Sequence, residues 1–66
     1  MLVSLNGRPR EVSTGYTVEQ LLVAMELDPR LVVVERNGEP LERKRYGEIE
    51  VVEGDRLELV RAVAGG

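Results

Sequence analysis

TVEQLLVAMEL, running from Thr17 to Leu27, is the stretch that decides the fold. Thr17 is suited to cap a first helical turn, and Gln20, three residues on, completes a capping box. Val18, Leu21, Leu22 and Met25 recur at i, i+3, i+4 and i+7, which makes one apolar stripe, and Glu19 and Glu26 fall off it. The spacing predicts a single helix. Pro29 disfavours helical geometry at Asp28, so the helix is expected to stop near Leu27. No second stretch has this period.

On either side of the helix the pattern is that of short strands. Upstream, MLVSLNGRPREVS holds two extended runs around Asn6-Gly7, the pair favoured where both central positions of a hairpin turn need positive φ. Val3 and Leu5 fall on one face, Leu2 and Ser4 on the other, and Pro9 suits an edge strand, where no N–H is needed. Downstream, the four apolar residues Leu31 to Val34 open a strand expected to be buried on both sides, or nearly so, followed by a second turn at Asn37-Gly38. Leu41 is expected to tuck back onto the core and Tyr46 to cover an end of it. Ile49 to Val52 reads as a further short strand, Gly54-Asp55 as a turn, and Leu57 to Val63 as the last strand. There Leu57 and Leu59 share one face, and Glu58, Val60 and Ala62 the other.

The predicted order is ββαβββ, an α+β class with four to five strands and one helix packed on one face. A single helix covers one face of such a sheet. The other face meets water or a partner, and alternation assigns Leu2, Val60 and Ala62 to it.

Composition narrows the chemistry. Sixty-six residues make one domain with a narrow stability margin. The absence of Cys and His removes disulfides, thiolate nucleophiles, imidazole acid–base catalysis and the usual zinc sets. Nine basic against twelve acidic residues leave a net charge of −3, which argues against nucleic acid as a partner. No apolar run approaches a membrane span and no leader pattern precedes the first strand, so no membrane partner is expected and the expected compartment is the cytoplasm.

Several candidate sites compete with plainer readings. Glu50, Glu53, Asp55 and Glu58 form a candidate patch for an Arg-rich partner, against the commoner case of solvated strand faces. The glycines in NGRPR and NGEP precede no helix, which makes them turn glycines and not phosphate cradles. Arg43-Lys44-Arg45 reads as a solvated loop, and Met25 as core. The end of the chain, RAVAGG from Arg61 to Gly66, follows directly on a strand. Lacking Cβ atoms, Gly65 and Gly66 can thread a cleft too narrow for any side chain. Ala64 to Gly66 fully extended reach roughly 10 Å. Residues 1–63 are therefore read as the domain and 64–66 as a flexible tail.

Taken together, the hairpin, the helix opening TVEQLL, a strand ending in NG, then EGD before a last strand that runs into VAGG resemble the ubiquitin-like β-grasp fold, with its mixed sheet. Within that fold the chain is similar over its whole length to the bacterial sulfur carriers of thiamine thiazole synthesis, the ThiS family. The resemblance implies that the Gly66 carboxylate is adenylated with ATP by an E1-like adenylyltransferase (ThiF-like). A persulfide-bearing sulfurtransferase or cysteine desulfurase then delivers sulfur, and the resulting thiocarboxylate supplies a thiazole synthase (ThiG-like). It also implies that the chain is no enzyme: it has no catalytic group of its own and binds no cofactor, ATP being used by the activating partner. Gly66 is the expected attachment point, Gly65 and Ala64 the threading residues. Val60, Arg61, Ala62, Val63, Glu58 and Leu2 are the candidates for partner contact. Sibling carriers that serve molybdopterin synthesis or tRNA thiolation, or that become conjugated to lysines, are the alternative destinations. A non-reacting ubiquitin-like interaction domain is the alternative class.

Overall fold

Thr17 opens helix α1 (Val18–Ala24) as its capping box requires. Its Oγ1 accepts from the Gln20 amide at 3.1 Å, and Gln20 Oε1 accepts from the Thr17 amide at 2.9 Å. The structure, a computed structural model, describes residues 1–61. The helix ends earlier than the proline-based expectation of Leu27. Glu26 takes the left-handed conformation at φ 62°, its amide donates to Val23 O, and the Leu27 amide donates to Leu22 O, both at 2.9 Å. This is a Schellman closure with Glu where glycine is usual. It turns the chain and brings Leu27 back against the core before Pro29 has any influence.

Five strands follow from the extended runs: β1 (Leu2–Leu5), β2 (Arg8–Glu11), β3 (Val32–Arg36), β4 (Glu39–Pro40) and β5 (Arg56–Arg61). They form one mixed sheet in the order β2-β1-β5-β3-β4, in which only β1 and β5 are parallel. The last strand therefore lies in the middle. Both hairpins close as their sequences predict, with Asn6 and Gly7 at φ 51° and 82° and Asn37 and Gly38 at 51° and 88°. Val3, Leu5, Val32, Val34 and Leu57 on the covered face are buried with Val18, Leu21 and Leu22 of α1.

The structure departs from three further expectations. The fourth strand is the two-residue β4, not Ile49 to Val52. That segment meets the helix entrance instead, through a single bridge between Thr17 and Glu50 and bonds from Val18 N to Ile49 O and Val51 N to Tyr16 O. Leu31 to Val34 are not buried on both sides: Val32 and Val34 are buried, whereas Leu31 and Val33 are exposed, because α1 covers only one face. Tyr46 is no end cover. It is a core residue whose hydroxyl donates to Val32 O at 2.8 Å and accepts from Val34 N at 3.1 Å, completing β3 where the short β4 does not reach.

Candidate functional site

Strand β5 leads to the end of the chain, so the site is built around its last residues. Gly66, Gly65, Ala64, Val63 and Ala62 lie outside the described residues, as does the expected division at residues 63 and 64. Of the remaining candidates, Val60 is 60% exposed on the uncovered face, directly opposite Val33 of β3, itself 41% exposed. One step back on the same face, Glu58 stands opposite Glu35. The uncovered face thus carries an apolar pair beside a like-charged pair. Cross-strand like charges work against folding.

Arg61 is opposite Val32, and alternation along β5 gives it the parity of Leu57 and Leu59, not that of Glu58. It is nevertheless exposed, although Val32 opposite it is buried. Leu2 shares the uncovered face with Val60 but not the same end of it. Gly54 N donates to Leu2 O at 2.9 Å, which sets Leu2 level with a residue six positions before Val60. At ~3.3 Å per residue, that is about 20 Å away. The parallel pairing of β1 with β5 causes this separation.

The proposed acidic patch is dispersed. Asp55 is 4% exposed and internal: Oδ2 accepts from Val52 N at 2.9 Å and lies 3.6 Å from Arg36 Nη1, and Oδ1 accepts from Asn37 Nδ2 at 3.3 Å. Glu53 Oε1 accepts from Leu2 N at 3.0 Å, Glu50 bridges to Thr17, and only Glu58 faces out from β5. Among the described residues no cluster of three or more metal-ligating side chains forms, and no helix is long and apolar enough to cross a membrane.

Two residues with no site role in the sequence reading hold β5 in place. Asn37 Oδ1 accepts from Arg56 N at 2.9 Å, at the start of the strand. Asn6 Oδ1 accepts from Leu59 N at 2.7 Å while its Nδ2 donates to Leu59 O at 3.3 Å, near the strand's end. The available signal was the choice of Asn before Gly at both turns. The left-handed conformation leaves an amide side chain free to bond a neighbouring strand, which a Gly-Gly turn would lack.

Comparison with known proteins places this arrangement. The ThiS family matches residues 3–66. The sulfur carrier protein ThiS of Bacillus subtilis (strain 168) is 37% identical over 67 residues, covering 98% of this chain and 100% of that protein. Thiazole synthases of Paramagnetospirillum magneticum and Magnetococcus marinus are 41% and 38% identical over 66 residues, all of this chain; the chain spans 20% of their length. The crystal structure of the thiamine biosynthesis protein (ThiS) from Geobacter metallireducens superposes with a TM-score of 0.82 at 36% identity, covering 100% of both chains. The mixed five-stranded sheet with its single helix is the ubiquitin-like β-grasp of that neighbour.

Proposed function

The chain belongs to the ThiS family, and from that membership we propose that it is a sulfur carrier for thiazole formation in thiamine biosynthesis, reacting through the Gly66 carboxylate. The observation that carries this reading is the family match, which spans residues 3–66 and so runs through Val63-Ala64-Gly65-Gly66.

The chemistry follows from the state of the carboxylate. An α-carboxylate has a pKa of about 3.3–3.7, so at neutral pH it is ionised and repels nucleophiles. Adenylation by an E1-like partner joins it to AMP and expels pyrophosphate, which removes the negative charge and supplies a leaving group. A persulfide sulfur on a sulfurtransferase then displaces AMP, and a thiol opens the S–S bond to leave the thiocarboxylate. With no His and no Cys, the chain supplies the reacting carbonyl and its presentation, and the partner supplies ATP binding and activation.

Presentation divides between body and tail. The exposed face of β5 around Val60 and Glu58 gives the body a surface on which to dock. Gly65 and Gly66 give the tail a cross-section that enters a narrow active site. The thiazole synthase relatives contain a segment like this one within a longer chain, which favours a thiazole synthase as recipient of the sulfur.

Intact-protein mass spectrometry tests the proposal. Incubated with its activating enzyme, ATP and a sulfur source, the chain should gain the mass of one oxygen-to-sulfur exchange, localised to Gly66. An unchanged mass with an active partner would refute it.

A further inference from the structure

We propose that Asn6 is a positioning residue for the C-terminal reaction: its side chain fixes the direction in which β5 delivers the chain toward Gly66. The inference rests on the carrier reading above and goes beyond it by assigning a role to a residue outside the tail and outside the docking face.

The two sides of β5 are supported unequally. Toward β3, pairing continues to the end of the strand, with Arg61 opposite Val32. Toward β1, the strand ladder stops at Leu5 opposite Leu57. The Asn6 amide still reaches Leu57 O at 2.9 Å, and then the backbone of β1 turns away into the hairpin, with Asn6 and Gly7 both at positive φ. Asn6 fills the next position with its side chain. Its carboxamide accepts from Leu59 N and donates to Leu59 O, so one side chain serves both backbone groups that continued parallel pairing would have shared between two β1 residues. Two-sided support of β5 is thereby carried from Leu57 to Leu59.

That extension matters because of where it falls. Leu59 is the last described residue of β5 bonded from the β1 side, and only seven positions separate it from Gly66. Removing the carboxamide leaves the strand from Glu58 onward tied to β3 alone, free to swing about that single edge. The point from which β5 delivers the tail is then less fixed, and misplacement by about 1 Å can cost about 100-fold in rate.

Asn37 supplies an internal control. It occupies the same position in the same kind of turn and clamps the same strand, but at Arg56, the end remote from Gly66. Loss of either clamp loosens β5; only loss of the Asn6 clamp loosens its exit.

The test uses the full chain with Asn6→Gly, Asn37→Gly and Asn6→Asp. Glycine keeps the positive φ of both turns and removes only the carboxamide. Aspartate retains an acceptor for Leu59 N–H and loses the donor to Leu59 O. At temperatures where every variant is folded, amide exchange and the steady-state kinetics of sulfur loading are measured. Asn6→Gly should speed Leu59 exchange by about tenfold or more. It should lower kcat about tenfold while KM, set by docking of the body, stays within about twofold. Asn6→Asp should recover protection at Leu59 and part of kcat. Asn37→Gly should expose the Arg56 amide and leave kcat within about twofold. Equal kcat losses in the two glycine variants, or a wild-type kcat in Asn6→Gly, would overturn the proposal. Unchanged Leu59 protection in Asn6→Gly would overturn the clamp itself, whether or not the chain accepts sulfur. A wild-type chain that takes no sulfur would instead refute the carrier reading.

Discussion

Val34 and Val33 are neighbours in β3, yet they belong to surfaces built by opposite rules. Val34, fully buried, lies opposite Leu59 on the face covered by α1, and Val33, 41% exposed, lies opposite Val60 on the face that no described element covers. On the covered face every central position is an aliphatic side chain that folding removes from water. The open face keeps an apolar pair partly in water and sets Glu35 against Glu58, a like-charged pairing that works against the isolated domain. One face holds the fold together. The other is the surface we propose for association.

The largest expected effect lies on the covered face. Leu22 is fully buried in α1, and Leu22→Ala should cost about 2–5 kcal/mol through lost burial and a residual cavity. A domain this small has little margin, so chemical denaturation should find much of the variant unfolded at room temperature. Val60→Ala on the open face should change stability by only about 0.5 kcal/mol or less. Its effect should be in the KM of the activating partner. A large stability loss at Val60 with unchanged KM would erase the distinction between the faces.

Next in size is Tyr46→Phe, a single-atom change inside the covered face. The hydroxyl serves both Val32 O and Val34 N, and deleting it strands two buried backbone groups. The cost should be about 1–3 kcal/mol by denaturant titration. A neutral result would mean that water or a neighbour replaces the hydroxyl, and that the β3 edge is less sealed than its hydrogen bonds imply.

Tyr46 also marks the limit of what the sequence discloses. The features that were legible are local. Thr17 and Gln20 announce the helix start because their bonds span three residues, and the two Asn-Gly turns are legible because positive φ is demanded at those positions. The helix end was not, since Glu26 is left-handed in order to return Leu27 to the core, a tertiary demand that overrides its weak preference. Nor was β4, because two residues carry no period. The central place of Tyr46 is not legible either, because its partners lie 12 and 14 residues away. At the candidate site, alternation put Leu2, Glu58 and Val60 on one face. Their spacing depended on β1 running parallel to β5, which no residue pattern encodes.

Smaller again is the effect of charge on the open face. Glu58→Lys converts the cross-strand repulsion with Glu35 into attraction and should stabilise the domain by roughly 0.2–1 kcal/mol. The same change should lower kcat/KM for sulfur loading if the acidic pair serves docking. A variant that is more stable and less active is the outcome that sharpens the contrast most. One that is more stable and equally active would leave the acidic pair without a role in association.

The smallest effect should come from a charge that belongs to neither face. Asp28 has the most displaced ionisation among the described residues: its carboxyl is held at about 2, below the ordinary 3.8, chiefly by hydrogen bonds from the Arg30 side chain and also from the Arg30 amide. A depressed carboxyl contributes stability above its unfolded value of 3.8 and loses it as pH falls toward 2. The pair is solvent-exposed, however, and exposed ion pairs contribute little once water screens them. Melting curves of wild type and Asp28→Asn should therefore differ slightly above pH 4 and converge as pH falls from 3.8 to 2. A displaced pKa records a strong local contact, whereas stability depends on how much of that contact is hidden from water. Should Asp28→Asn cost more at neutral pH than Glu58→Lys gains, burial would no longer rank these positions, and the difference between the two faces would need another cause.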